Sequence, residues 1–243
     1  MSIDINGKIA LVTGANRGIG KAIVDSLIEH GASKVYLAVR NPESTVELAK
    51  QYGDKVVTLQ ADVGDDASIS ALAQAAQDVN IVINNAGVVQ PAELLSADAF
   101  AALKHELNVN TYGLLRVAQA FAPVLQQNGG GAFVQLNSVA SIKNFTPFTT
   151  YSASKAATYS ITQGLKDVMA PLGIAVLSVH PGPIATDMGD QVGMTEVAEP
   201  ANVVAEGIVS ALKAGDFHLF PDTMAKQFGD TYDSYAQAII NGQ

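Results

Sequence analysis

The chain has 243 residues, 48% of them hydrophobic and 15% charged, a balance that excludes a disordered polymer and suffices for one α/β domain with a sizeable core. Its net charge of −9 disfavours phosphate backbones and anionic membrane surfaces, so neither a nucleic-acid nor a membrane partner is expected. The absence of cysteine excludes disulfides, thiol catalysis and thiolate metal sites.

Short apolar runs alternate with helical stretches along the whole chain. Lys8–Thr13 predicts a strand and Gly18–Glu29 a helix; Lys34–Val39 a strand and Glu43–Gln51 a helix; Val56–Gln60 a strand and Ala67–Gln77 a helix. Ile81–Ile83 predicts a fourth strand, followed by a helical region from Ala97 to Gln126 with a break near Asn108. Ala132–Leu136 is a fifth strand, Thr150–Ala170 a helix, Ile174–Val179 a sixth strand, Ala201–Leu212 a helix and Phe217–Phe220 a short last strand. The strands are continuous apolar runs, as in Ile9-Ala10-Leu11-Val12, the pattern of strands covered on both faces. Alternating β and α elements therefore predict an α/β fold: a Rossmann-type, doubly wound parallel β-sheet flanked by helices on both faces. No repeat or linker divides the chain, so residues 1–243 read as one domain. Met224, Phe228, Tyr232, Tyr235 and Ile239 recur at helical spacing, predicting a C-terminal helical tail over residues 222–243 that packs on its own subunit or, alternatively, reaches a partner subunit or closes over a site. Met1–Lys8 lacks the basic start and long apolar run of a signal peptide. No stretch approaches the ~18 apolar residues of a membrane span. A cytoplasmic location is expected.

The turn after the first strand, Thr13-Gly14-Ala15-Asn16-Arg17-Gly18-Ile19-Gly20, carries glycines at G-x-x-x-G-x-G spacing. Glycine lets the chain turn sharply and lets backbone approach a pyrophosphate, and the following helix supplies unpaired N–H groups and a positive dipole end. A dinucleotide's adenosine half then lies over the ends of strands two and three, where an NAD-preferring site carries a carboxylate for the ribose 2′-OH. The corresponding segment, Leu37-Ala38-Val39-Arg40-Asn41, has none. Arg40 and Arg17 suit a 2′-phosphate instead, and NADPH/NADP+ is expected over NADH. Asp62, before Val63 at the end of strand three, is placed to accept from the adenine amino group. Asn84-Asn85-Ala86-Gly87 ends strand four at the same edge of the sheet.

Tyr151 and Lys155 are four residues apart on a predicted helix, hence on one face. A phenol titrates near pH 10, and a fixed positive charge close by lowers that value, so the pair suits proton transfer near neutrality. Phe145, Pro147 and Phe148 lie just upstream and are expected to line an apolar substrate cleft, which favours an uncharged substrate.

Taken jointly, the glycine-rich turn, Asn84-Asn85-Ala86-Gly87, Asn110, Ser138, Tyr151-x-x-x-Lys155 and Pro181-Gly182 resemble the short-chain dehydrogenase/reductase family in order and spacing, from Lys8 to about Met188. The resemblance implies that Tyr151 is the general acid for carbonyl reduction and the base in reverse. Ser138 would hydrogen-bond the same oxygen. Lys155 would hold the nicotinamide ribose and lower the tyrosine's pKa, and Asn110 would kink its helix and hold a relay water. Pro181, Gly182, Ile184 and Thr186 would hold the carboxamide. The implied activity is an NADPH-dependent reduction of a ketone or aldehyde to an alcohol, with a small-molecule carbonyl or alcohol as partner. No metal is needed, and the four histidines show no ligand spacing. An NADPH-binding regulator without turnover is the alternative. A halide-processing relative that has abandoned the cofactor is disfavoured by Gly14, Gly18, Gly20 and Lys155.

Two departures from the family pattern stand out. The segment Asp187–Glu199 is a short lid containing Gly189 and Gly193, and the tail after Pro221 is longer than in the commonest tetrameric members. A homodimer or homotetramer is expected, with the helices Asn110–Ala122 and Thr150–Met169 as one plausible contact.

Overall fold

The structure is a computed structural model describing residues 1–191, 193, 195–235 and 239–240. The parts of the expected lid at 192 and 194, and of the expected tail at 236–238 and 241–243, lie outside the described residues.

Seven parallel strands among the described residues form one sheet. They are β1 (Ile9–Thr13), β2 (Lys34–Val39), β3 (Val56–Gln60), β4 (Ile81–Asn84), β5 (Gly131–Leu136), β6 (Ile174–Val179) and β7 (His218–Leu219), in spatial order β3-β2-β1-β4-β5-β6-β7. Winding therefore reverses beside β1, between β2 and β4. In-register pairs such as Thr13 with Ala38 and Asn84 with Gln135 bring the carboxyl ends of the central strands to one level. A crevice opens at that edge, which is where ligands bind in such sheets.

Strand side chains alternate between two apolar clusters, one on each face. Ala10, Val12, Val35, Leu37, Ile81, Ile83 and Val134 meet α1 (Gly18–Glu29) and α8 (Ala201–Ala214) through Ile23, Leu27, Val204 and Ile208. Leu11, Val82, Phe133 and Val176 meet α3 (Asp66–Ala75) and α5 (Gly113–Gln127) through Ile69, Leu72, Val117 and Phe121. Burying each of these large side chains is worth about 1.5–3 kcal/mol. Phe121 and Phe133 are wholly enclosed.

The remaining helices are α2 (Val46–Tyr52), α4 (Ala99–Glu106), α6 (Thr149–Met169), α7 (Asp187–Gln191) and α9 (Thr223–Tyr235). One of them opens differently from expectation, for a physical reason. The helix expected at Glu43 opens instead as a 3₁₀ turn, Pro42–Thr45, because Asn41 Oδ1 caps the Glu43 N–H and Pro42 starts the turn without an N–H to lose. The region from Ala97 is not one helix; α4 and α5 are joined by a π-helical segment, Leu107–Tyr112, which is the break expected near Asn108. The expected tail helix forms as α9 and packs on its own chain, with Tyr232 Oη 3.1 Å from Tyr159 Oη and the Phe228 ring 6.3 Å from that of Phe145.

Candidate active site

A cleft of about 500 Å³ runs along the carboxyl edge over β1, β2 and β4. Gly14 and Gly18 both have positive φ (66° and 53°), a region that side-chain-bearing residues rarely adopt. The turn is also close-packed: a Cβ on Gly18 would lie 2.9 Å from Thr186 Cγ2, and one on Gly20 only 2.1 Å from the Gly14 carbonyl oxygen. Arg17 occupies the N-cap position of α1 with no side-chain cap, so the first N–H groups of the helix are left for a ligand. Gly14, Asn16, Arg17, Gly18, Ile19 and Gly20 all line the cleft.

Arg40, Asn41, Ser44, Asp62 and Val63 line its far end. Asp62 also braces its own loop, its Oδ1 accepting the Gly64 N–H at 2.8 Å. Arg17 is ion-paired with Asp187 at the start of α7.

Asn84 takes a different place from the one expected. It is buried between strands, accepting from Thr13 Oγ1 (3.2 Å) and donating to Gln135 Oε1 (2.7 Å), and does not reach the cleft. Its neighbours do: Asn85, Ala86 and Gly87 line the cleft, held by Asn85 Nδ2 donating to the Thr13 carbonyl (2.8 Å) and by the Asn85 and Ala86 N–H groups donating to Thr13 Oγ1 (3.0 and 2.9 Å). Asn110, in the π segment, clamps the same loop: it accepts the Val88 N–H and donates to the Val88 carbonyl, both at 2.9 Å, and donates to Ser154 Oγ at 3.0 Å. All of its side-chain polar groups are thereby engaged with protein.

Ser138, Tyr151 and Lys155 converge where this cleft meets a second, apolar pocket. Ser138 follows β5 and accepts the Ala140 N–H at 3.1 Å. Tyr151 and Lys155 occupy successive turns of α6, and Lys155 Nζ donates to the Leu136 carbonyl at 2.8 Å. The phenol pKa is not depressed as the sequence suggested. Burial pushes it up to about 12, against the neighbouring Ser138 hydroxyl, which lowers it, while the charge of Glu106 raises it further. The ammonium is directed at a carbonyl and lies 5.8 Å from the phenol ring centroid, and burial pushes its own pKa down to about 8.

The second pocket, about 170 Å³, is lined by Val89, Phe145, Phe148, Ile184, Met188 and Met224 beside Ser138 and Tyr151. Pro181 and Thr186 border both cavities, and Gly182 and Ile184 border the apolar one. The Gly182 N–H donates to Asp222 Oδ2 (2.7 Å), while Asp222 Oδ1 caps α9 through the Ala225 N–H (2.9 Å). Sequence reasoning missed Thr13, Asp187, Met224 and Asp222. Only the helical periodicity of the tail gave a signal for Met224. Thr13 and Asp187 act through contacts between segments remote in sequence, and Asp222 joins such a contact, to Gly182, to its local cap of α9. Among the described residues, no group of three or more His, Asp or Glu side chains is placed to hold a metal ion, and no helix is long and apolar enough to cross a membrane.

A family model described as short chain dehydrogenase matches residues 8–196. An uncharacterised oxidoreductase of Staphylococcus aureus (strain USA300) is 34% identical over 217 residues, covering 86% of this chain and 92% of that protein. A short chain dehydrogenase from Burkholderia cenocepacia J2315, solved in complex with NADP, is 32% identical, with a TM-score of 0.88 over 98% of this chain and 97% of that one. A short chain dehydrogenase/reductase from Burkholderia phymatum, solved in complex with NAD, is 25% identical, with a TM-score of 0.83 over 97% and 96% of the two chains.

Proposed function

We propose that this chain, which belongs to the short chain dehydrogenase family, is an NADPH-dependent oxidoreductase that reversibly reduces the ketone or aldehyde carbonyl of an uncharged, largely apolar substrate. The observation that carries the reading is the convergence of Ser138, Tyr151 and Lys155 at the junction of a glycine-walled cleft and an apolar pocket.

The residues present fit a dinucleotide. The glycine cradle would be filled by side-chain carbons at Gly18 or Gly20, and the uncapped start of α1 suits a pyrophosphate. Arg17 and Arg40 border a cleft whose β2 end carries no carboxylate, which supports a 2′-phosphate and hence NADPH. The related structures carry NADP in one case and NAD in another, so the preference rests on these two arginines. When bound, the nicotinamide supplies the hydride.

The chain's own residues then have distinct tasks. Tyr151, protonated at neutral pH because its pKa is raised, donates its proton to the carbonyl oxygen. Ser138, which borders the apolar pocket beside Tyr151, orients that oxygen. Lys155 holds the ribose side of the cleft and lends positive charge as the phenolate forms. Asn110 fixes the 87–88 loop against α6. Phe145, Phe148 and Met224 exclude water from the reacting face.

The test is fluorescence titration with NADPH and NADH, followed by turnover on a panel of apolar ketones and aldehydes. NADPH should bind at least tenfold tighter. Tyr151→Phe should keep cofactor binding and lose about 10²–10⁴ in kcat, the usual contribution of a positioned acid. Full turnover in Tyr151→Phe would remove the assignment.

A further inference from the structure

A chain of buried hydrogen bonds ends on the backbone carbonyl of Ser138, and the direction of each bond follows from the two ends. In α6, Thr162 Oγ1 donates to the Thr158 carbonyl at 2.8 Å. Its oxygen can then only accept, which it does from Asn137 Nδ2 at 3.3 Å. The same amide nitrogen donates to Ser178 Oγ at 2.8 Å, so the Ser178 proton is left for His180 Nε2, 2.7 Å away. At the other end, the Ser141 hydroxyl donates to the Ser138 carbonyl, which also accepts the Ser141 N–H at 3.0 Å. The Ser141 oxygen therefore accepts from His180 Nδ1, 2.9 Å away, and the Ser138 carbonyl lies 3.2 Å from the same nitrogen. Both ends demand one tautomer: a lone pair on Nε2 and a proton on Nδ1. Asn137, Ser141, Thr158, Thr162, Ser178 and His180 are all buried.

A histidine is an unfavourable filler at this place. Its ring meets Tyr159 edge-on, with 4.7 Å between centroids, and stacks on Phe220 at 5.1 Å. An apolar ring would pack there without polar atoms to satisfy. The polar atoms have another use. Ser138 borders the apolar pocket beside Tyr151. The turn that follows it is docked on residues 180–181: the Val139 N–H donates to the Pro181 carbonyl at 3.0 Å, and Ser138 Oγ donates to that carbonyl at 3.4 Å. With His180 holding Ser141 Oγ and the Ser138 carbonyl, the orientation of Ser138 follows from this docking.

We propose that His180 is a positioning residue for Ser138: its neutral imidazole, with the proton on Nδ1, holds the 138–141 turn and so fixes where the Ser138 hydroxyl meets the substrate carbonyl. The inference rests on the reading of Ser138 as the group that orients that oxygen. Burial keeps the ring neutral, pushing its pKa down to about 3. A proton on Nε2 would confront the one that Ser178 offers.

Two substitutions separate positioning from filling. His180→Asn can set an amide N–H where Nδ1 lies and leaves the Nε2 position empty. His180→Gln reaches the Nε2 position and leaves that of Nδ1 empty, while filling more of the space. The readout is the single-turnover rate of NADPH oxidation with the best-turned-over ketone of the panel, both at saturation. His180→Gln should be at least about tenfold slower than His180→Asn, within the ~10²-fold that a misplacement of about 1 Å can cost. Equal rates in the two variants, or a faster His180→Gln, overturn the proposal, because a filling role favours the larger side chain. Nitrogen NMR of the wild-type ring should show the Nδ1–H tautomer at neutral pH, and the Nε2–H tautomer overturns the proposal as well. If either variant does not fold, Ser141→Ala removes the hydroxyl that receives the Nδ1 proton: the rate should fall several-fold, and a wild-type rate overturns the proposal. No turnover anywhere on the panel, or wild-type turnover in Ser138→Ala, removes the reading beneath it. Turnover lost in Ser138→Ala, with His180→Asn and His180→Gln alike, removes only the role of His180.

Discussion

Arg17, in the glycine-rich turn, is ion-paired with Asp187, the first residue of α7. The pair ties the cofactor end of the cleft to the segment that follows the 181–186 loop. An anionic ligand at Arg17 must compete with Asp187 for the same guanidinium. Both side chains are more than half exposed, so the pair itself is worth only about 0.2–1 kcal/mol. Asp187→Asn should therefore tighten NADPH binding by about two- to fivefold. Weaker or unchanged binding in a fluorescence titration would show that Asp187 does not compete.

Arg40 has no side-chain ion pair among the described residues, and it lines the cleft beside Asn41 and Ser44. A charge-assisted bond to a 2′-phosphate is worth about 1.5–3 kcal/mol. Arg40→Ala should raise the Kd for NADPH by at least about tenfold and leave that for NADH nearly unchanged. Equal losses for both cofactors would mean that Arg40 supports the fold of the cleft and does not read the phosphate.

Asp222, 1% exposed, accepts the Gly182 N–H with one oxygen and the Ala225 N–H with the other. Asp222→Asn would turn an amide donor toward one of those N–H groups, at a cost of about 1–3 kcal/mol. Because α9 supplies Met224 to the apolar pocket, the KM for an apolar ketone should rise several-fold while the NADPH Kd changes little. A variant with wild-type melting temperature and KM would show that the clamp is dispensable.

A buried and a half-buried histidine set an acid limit on stability. Burial pushes His180 down to about 3 and His218 down to about 4, the latter helped by the charge of Lys166. The unfolded chain binds protons at these positions below about pH 6.5, where the folded chain does not, so stability must fall as the pH drops from 6.5 towards 4. Each histidine contributes at most about 1.4 kcal/mol per pH unit in that window. Urea midpoints measured from pH 7 to 4.5 should decline in the wild type and decline less steeply in His218→Gln. Identical slopes would place the acid sensitivity elsewhere.

Much of the sheet and the reacting centre could be read from the chain. The strand runs are apolar because both faces are covered, and Gly14, Gly18 and Gly20 declare a turn that no side chain can enter. Tyr151 and Lys155 declare their common face by spacing alone. What the chain did not disclose depends on distance through space. Asn84 and Asn85 are chemically identical neighbours, and only the pleat of β4 decides that Asn84 faces Thr13 and Gln135 inside the sheet while Asn85 faces the cleft. The phenol's raised pKa was equally hidden, because spacing gives the proximity of Lys155 but says nothing of the burial that outweighs it. Asp187 carries no local signal, since it acts on Arg17, 170 residues away in sequence; Asp222 stands where an N-cap would, but its bond to the Gly182 N–H, 40 residues away, has none.

The glycine cradle and the apolar pocket differ in how they can change over generations. At Gly20 the constraint is backbone against backbone, 2.1 Å from a hypothetical Cβ to the Gly14 carbonyl oxygen, so no neighbouring mutation can make room. The pocket wall is assembled from Val89, Phe145, Met188 and Met224, each contributed by a different segment. A duplicated copy of the gene could exchange any of these four without disturbing the turn, and a mutagenesis library restricted to them explores new substrates on an unaltered chassis.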